Sequence, residues 1–114
     1  IGVSYYDFEA GQGETFDRTL VWTLDDEPVN LSAYSVRMQV RRSYSSPTVV
    51  FSLTEGDGIT VDDEAGSINL FISATDTAAA HAGEYVYDIE LEDSEGIVDR
   101  FLEGKFSLSP EVTR

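Results

Sequence analysis

The sequence contains no cysteine and only one histidine among its 114 residues. Without cysteine it forms neither a disulfide nor a thiolate metal site, which excludes a disulfide-dependent secreted mini-domain but not a secreted domain without bridges. A hydrolase triad or a histidine-rich metal site needs a nucleophile or further ligands beside His81, and its sequence neighbours supply neither. We therefore expect a protein that is not an enzyme and that needs no cofactor and no obligatory metal.

Long apolar runs are also missing. No stretch of 18 or more apolar residues occurs, so we expect no transmembrane helix. No basic segment followed by an apolar stretch opens the sequence, so we expect no signal peptide. The length suits one domain, residues 1–114, and a hydrophobic content of 41% suffices for a core.

Positive charge is scarce. Seven basic residues stand against 22 acidic ones, which gives a net charge of -15. Such a surface repels phosphate backbones and anionic lipids, so we expect no nucleic-acid partner and no membrane partner. The simplest interpretation is solubility and suppression of wrong contacts. Adaptation to a marine or high-salt setting, where ions screen the self-repulsion, is the alternative.

Apolar and polar residues alternate along most of the chain, which is typical of half-buried strands. In residues 15–24 the first face carries Phe16, Leu20, Trp22 and Leu24, with Arg18 as the exception. Seven to eight such strands are separated by turn-forming segments. The pattern predicts an all-β fold, an antiparallel Ig-like β-sandwich of seven to eight strands. Its expected core comprises Phe16, Leu20, Trp22, Val36, Met38, Phe51, Ile68, Leu70, Tyr87, Ile89, Phe106 and Leu108.

Two segments interrupt the strands in a recognisable way. Residues 73–82 are rich in alanine and predict one short helical turn, with Ser73 or Thr75 as its cap. Residues 11–13, Gly-Gln-Gly, precede a strand and are too short for a dinucleotide loop, so they predict a turn.

Acidic residues concentrate at three predicted turns, 25–27, 62–64 and 92–95. Aspartate at a turn accepts hydrogen bonds from backbone amides, and acidic tips keep strand edges apart. Calcium binding is the functional alternative, because carboxylate oxygens in loops suit that ion. The spacing of an EF-hand loop is not present.

The candidate interface combines a basic cluster with the two ends of the chain. Arginines 37, 41 and 42 form the basic cluster, for which we keep two alternatives: cross-strand pairing with acids, or docking of an acidic neighbour. Tyr5, Tyr6 and Tyr44 are the aromatic residues expected to be exposed. The candidate interface residues are Ile1, Val3, Tyr5, Arg37, Arg41, Arg42, Pro110, Val112 and Arg114.

Three parts of the sequence resemble small virion structural proteins of tailed bacteriophages. Residues 8–20, FEAGQGETFDRTL, are similar to the turn that leads into the first full strand of those proteins. Residues 31–41, LSAYSVRMQVR, resemble a later strand, and residues 83–91 with 101–106 and 110–113 resemble the closing hairpin. The chain is also similar to the N-terminal β-sandwich of baseplate upper proteins, which anchor receptor-binding proteins in phage tails.

The resemblance spans nearly the whole chain and implies a virion component: a tail or baseplate adaptor, or a head-surface protein that decorates the capsid. It implies other virion proteins as partners, with a homo-oligomer or a ring on a scaffold, and it carries over no catalytic residues. We expect salt to favour association. A carbohydrate-binding or adhesion β-sandwich is the alternative: an exposed row of aromatic residues would favour it, whereas apolar patches near the chain ends would favour assembly.

Overall fold

Strands make up most of residues 4–113, the part of the chain that the computed structural model describes. Eight of the eleven strands found there are four residues or longer, and one short helix accompanies them. The all-β prediction and the predicted helical turn are confirmed. The elements are β1 Ser4–Tyr5, β2 Phe8–Gly11, β3 Phe16–Val21, β4 Thr23–Leu24, β5 Glu27–Pro28, β6 Tyr34–Arg41, β7 Val49–Glu55, β8 Gly58–Asp62, β9 Ser67–Ile72, α1 Ala74–Ala79, β10 Gly83–Asp93 and β11 Val98–Ser109.

Nine strands form one sheet in the order β1-β11-β10-β6-β7-β8-β9-β3, with β2 also pairing with β11. Strands β4 and β5 form a separate hairpin. The expectation of a fully antiparallel arrangement is wrong at three places, because β1 and β2 run parallel to β11 and β7 runs parallel to β8. The last of these is a short contact of two residue pairs at a tight turn, where Thr54 and Asp57 exchange two backbone hydrogen bonds.

The sheet curls so that strands distant in its order pack on one another. Phe16 of β3 and Phe106 of β11 have ring centroids 5.1 Å apart, and Phe51 of β7 lies 5.9 Å from Phe106. Of the twelve predicted core residues, Leu20 is partly exposed and the other eleven are buried. The interior of the curl is therefore the hydrophobic core that the alternation predicted.

The alternation fails at the end of β3. Leu24 is 58% exposed, although the pattern placed it on the core face with Trp22. The reason is local: β3 ends at Val21, and the next residues form the tight β4–β5 hairpin, with Asp25 and Asp26 at φ 52° and 64°. Such a hairpin turn redirects the chain, so the period of β3 does not continue into it.

The helix and the start of β10 are fixed by specific hydrogen bonds. The Ser73 hydroxyl accepts from the Asp76 amide at 3.1 Å, which confirms Ser73 as the N-cap. The buried Thr77 hydroxyl donates to the Glu14 carbonyl at 2.8 Å, which joins α1 to the loop before β3. At the start of β10, the Tyr85 hydroxyl donates to the His81 carbonyl. No helix within residues 4–113 has the length and apolarity to cross a membrane.

Candidate protein-interaction surface

The arginines of β6 lie on an outward face that is rich in acids. Arg37 pairs with Glu90 and Glu92 of β10, with nitrogen–oxygen distances of 2.9 Å to each. These hydrogen bonds raise the pKa of Arg37 above its ordinary value. Arg37 thus makes the cross-strand pairing that was one of the two alternatives for this cluster.

The other two arginines diverge. Arg41 donates to the Ser46 carbonyl at 2.8 Å and to the Gln39 side chain at 3.0 Å. Arg42 lies over the ring of the buried Tyr85, at 5.5 Å from its centroid. The sequence placed the three arginines in one patch, whereas the strand separates them into three different environments.

A second carboxylate pair stands beside the Arg37 group. Asp88 of β10 lies opposite Glu103 of β11 in the ladder, and Arg100 reaches both at 3.6 Å. Burial raises the pKa of Asp88, the Glu90 charge adds to this, and Arg100 opposes it. With four carboxylates around two guanidinium groups, this outer face stays acidic.

The other predicted interface residues fall in separate places. Pro110 lines a cavity of about 760 Å³ together with Glu9, Glu14 and Arg18. Val112 is 93% exposed. Tyr5 lines a different cavity, which lies between β1, β3 and β11. Ile1, Val3 and Arg114 lie outside the described residues.

Tyr5 lies at the opening between the two end strands of the curled sheet. A cavity of about 280 Å³ occupies this opening and is lined by β1, β3 and β11. We call it the open seam; its lining residues are Ser4, Tyr5, Tyr6, Leu20, Val21, Phe101 and Leu102. Tyr5, Tyr6 and Val21 are 76%, 57% and 58% exposed, so the seam presents large apolar side chains to solvent.

Sequence reasoning found Tyr5 and Tyr6 but missed Val21, Leu20 and Phe101 as their neighbours. One signal was available, since Val21 is an apolar residue on a strand face otherwise composed of threonine and aspartate. The pairing of strands from opposite ends of the chain, which brings β1 to β11, was not visible in the local pattern.

A charged side chain links β3 to β2 two residues before the seam-lining Leu20. Arg18 of β3 lies over the Phe16 ring, 4.7 Å from its centroid, and donates to the Glu9 carbonyl of β2 at 3.2 Å. This explains why an arginine stands on the inward face of β3: its stem covers the core edge and its guanidinium bridges to β2. Toward Val21 and Tyr5 the seam remains open.

The exposed aromatic residues do not form one row. Tyr5 and Tyr6 line the open seam, Tyr44 lines a cavity of about 170 Å³ on the outer face of β6 and β10, and Phe71 lines a groove beside α1. The three tyrosines are more than half exposed, as expected from the sequence. The apolar surface is therefore most continuous at the open seam.

The acidic turns cap backbone amides. The Asp93 carboxylate accepts from the amides of Glu95 and Ile97, both at 2.9 Å, and the Asp62 carboxylate accepts from Ala65 at 3.3 Å. Among residues 4–113, no group of three or more histidine, aspartate and glutamate side chains converges as a metal site would require. His81 is exposed in the loop before β10.

Comparison with models of known protein families finds no match, and comparison with curated protein sequences finds none. Comparison with solved structures finds 320 matching chains. One is the crystal structure of CopC from Methylosinus trichosporium OB3b, with a TM-score of 0.53 and 13% identity. The match covers 95% of this chain and 88% of that one. At this identity the likeness concerns the fold alone.

Proposed function

We propose that this protein is a structural or assembly component of a tailed-bacteriophage virion. It acts there through protein–protein contacts as a tail or baseplate adaptor or as a head-surface protein, and not as an enzyme. The observation that carries the proposal is the open seam, where Tyr5, Tyr6 and Val21 are each more than half exposed. The phage assignment itself is drawn from the resemblance of residues 8–20, 31–41, 83–91, 101–106 and 110–113.

An exposed apolar group of this kind suits a protein partner. Aromatic side chains are enriched at protein interfaces, and exposed apolar patches on soluble proteins mark sites of association. On a chain with a net charge of -15, an uncharged patch is also the surface on which a neighbour meets the least repulsion. Added salt weakens the remaining repulsion, so assembly is favoured by salt.

We also propose that the curled sheet is an Ig-like β-sandwich. The hydrogen bond from the Tyr85 hydroxyl to the His81 carbonyl, just before a long strand, has the form of the tyrosine corner of such domains. The order β11-β10-β6-β7 followed by β8-β9-β3 supports two layers, with the Phe16–Phe106 contact between them.

The test is co-sedimentation. The purified chain is centrifuged alone and with the other structural proteins of the particle over a salt series, and it is applied to a glycan array in parallel. We expect a chain that is largely monomeric alone and that sediments with at least one virion protein, more so at higher salt. A chain that binds no virion protein at any salt concentration and binds a glycan contradicts the proposal.

A carbohydrate-binding or adhesion module is the second candidate. Tyr44 is 74% exposed and lines a cavity of about 170 Å³ together with Gln39, Asp88 and Glu90. An aromatic ring beside hydrogen-bonding side chains is a suitable platform for one sugar ring. Glycan binding that is lost in Tyr44→Ala and kept in Tyr5→Ala would favour this candidate.

A further inference from the structure

The open seam lies between the two strands that end the sheet order, β1 and β3. A strand that ends a sheet presents backbone groups to which a further strand can be added. One hydrogen bond shows which way these backbone groups point. The Trp22 amide donates to the Gly66 carbonyl, so the backbone groups of the even-numbered residues of β3 face β9. Because backbone direction alternates along a strand, the backbone groups of the odd-numbered Thr19 and Val21 face away from β9, toward the seam.

β1 presents its backbone to the same opening. The Tyr6 amide donates to the Glu103 carbonyl at 2.9 Å, so the backbone of Tyr5, one residue earlier, faces away from β11. Among the hydrogen bonds found within residues 4–113, none involves these outward groups of Tyr5, Thr19 or Val21. The seam thus combines free backbone edges with apolar walls, and these are the two requirements of β-strand addition.

We propose that the open seam accepts one extended segment of a separate, basic protein, which pairs with the free edge of β3 and closes the curled sheet. The apolar side chains of the segment cover Tyr5, Tyr6 and Phe101. This deepens the proposed function, since it rests on the role in assembly and specifies how a partner binds.

The charge of the chain argues for a basic segment and against a second copy. A copy of this chain brings a further net charge of -15. Carboxylates lie near the seam-lining residues in sequence: Asp7 follows Tyr6 directly, Asp99 lies two residues before Phe101, and Asp17 precedes Leu20 on β3. Two of the neighbouring cations already have partners, since Arg18 donates to the Glu9 carbonyl and Arg100 lies between Asp88 and Glu103. Lysine or arginine beside the apolar residues of the segment therefore meets complementary charge.

A second free edge in the fold provides an internal comparison. The Thr54 amide donates to Asp57 and not to β6, so the backbone groups of Ser52 in β7, two residues earlier, also face outward. They border a groove of about 560 Å³ beside α1, where Asp76 and Asp57 are present as well. A basic strand that binds acidic edges without selectivity would bind there too.

The probe is a nine-residue synthetic peptide, acetyl-Lys-Val-Thr-Val-Lys-Val-Thr-Val-Lys-amide, followed by amide NMR of the labelled protein. The matched control peptide carries the same lysines with proline in place of each threonine, which removes strand donors and keeps the charge. We expect the first peptide to shift the amide signals of Thr19 and Val21 and to leave that of Ser52 in place. The proline peptide should shift none of the three.

Two protein variants separate edge pairing from apolar contact. Val21→Pro removes one outward donor and leaves the β3–β9 ladder, since proline is tolerated where the amide faces outward. It should weaken peptide binding about tenfold, because one hydrogen bond is lost and the proline ring fits less well against the added strand. Tyr5→Ser should weaken binding by a similar factor, whereas Tyr44→Ser, at an equally exposed site, should not change it. Because Tyr5 is 76% exposed, Tyr5→Ser tests the proposal even where Val21→Pro fails to fold.

The inference is overturned by equal shifts with both peptides, by shifts confined to Ser52, or by a dimer of this chain through the seam. If the chain is incorporated into the virion but the peptide causes no amide shifts at the seam, the inference is refuted and the proposed function is not. A seam that binds the peptide on a chain that joins no virion protein refutes the proposed function instead.

Discussion

The hydroxyl of Tyr87 donates to the backbone carbonyl of Tyr6, 81 positions earlier in the chain. Burial raises the pKa of Tyr87 above its ordinary value, and the nearby Asp7 charge adds to this, so the phenol stays a donor. The bond joins the core-facing side of β10 to the chain just after β1. The position of one wall of the open seam is thereby fixed from inside the fold.

Tyr87→Phe should therefore lower the free energy of unfolding by about 0.5–1.5 kcal/mol, the usual net contribution of one hydrogen bond. The Tyr6 amide, which donates to Glu103, should also exchange faster with solvent because the edge is held less firmly. Denaturant titration and hydrogen exchange measure the two effects. Tyr44→Phe is the control, since Tyr44 is 74% exposed and should change neither. An unchanged Tyr6 exchange rate in Tyr87→Phe would show that the bond does not hold the edge.

Gly104 permits the close approach of the same segment. A Cβ atom at this position would lie 2.1 Å from the Tyr6 carbonyl oxygen, which is backbone and cannot rotate away. Gly104→Ala should cost about 1–3 kcal/mol of stability, as overpacking does. Gly11→Ala is matched to it, because there the Cβ would meet the flexible end of the Glu14 side chain, and it should change stability by less than about 1 kcal/mol. Equal costs for the two variants would contradict this placement of β1.

Trp22 and Leu24 test where the strand period ends. Trp22 is 8% exposed and packs against Phe101 and Tyr34, with centroid distances of 5.3 Å and 6.0 Å. Trp22→Ala should cost about 3–5 kcal/mol, whereas Leu24→Ala, at an exposed hairpin position, should stay within about 0.5 kcal/mol. Thermal or denaturant unfolding of both variants gives the comparison. A large loss of stability in Leu24→Ala would show that Leu24 lies in the core, as the alternation predicted.

Asp88 predicts a pH dependence of stability. Its pKa is raised in the folded state, chiefly by burial, so the folded chain holds this proton more tightly than the unfolded chain does. The contribution of this proton to the stability of the fold is complete below the pKa of Asp88 in the unfolded chain. It is lost as the pH rises through the pKa of Asp88 in the folded chain. Asp88→Asn should thus unfold less readily than the parent chain at neutral pH, and the difference should shrink as the medium becomes acidic.

The control for Asp88→Asn removes one negative charge elsewhere. Glu95→Gln at the exposed β10–β11 turn also removes one negative charge but leaves the surroundings of Asp88 unchanged. Unfolding midpoints for both variants between acidic and neutral pH separate the local effect from general repulsion. The assignment to burial fails if the two variants follow the same curve.

The strand content and most of the core follow from the sequence because period-two alternation is a local signal. Phe106 and Leu108, for example, are buried on β11 at the positions where the alternation placed them. The helix cap at Ser73 is equally local. Leu24 was misplaced because two adjacent residues with positive φ end the extended run, which side-chain polarity does not encode.

The open seam could not be predicted from local sequence patterns. It depends on the parallel pairing of β1 with a strand nearly 100 residues later and on β3 ending the sheet at the other side. Neither relation leaves a pattern in a short window of sequence. Likewise, the arginines at positions 37, 41 and 42 are close in the chain, but their partners lie on β10, in the β6–β7 loop and at the start of β10.

The most direct test of assembly through the open seam is incorporation of the chain into particles. Particles are produced with the parent chain, with a Tyr5→Ser/Val21→Ser variant, and with a Tyr44→Ser/Ile97→Ser control that removes similarly exposed apolar side chains elsewhere. The copy number of the chain per particle is then measured. We expect parent-like incorporation of the control and a loss of about tenfold or more for the seam variant, since apolar contacts at an interface centre dominate affinity. Parent-like incorporation of a folded seam variant would contradict it.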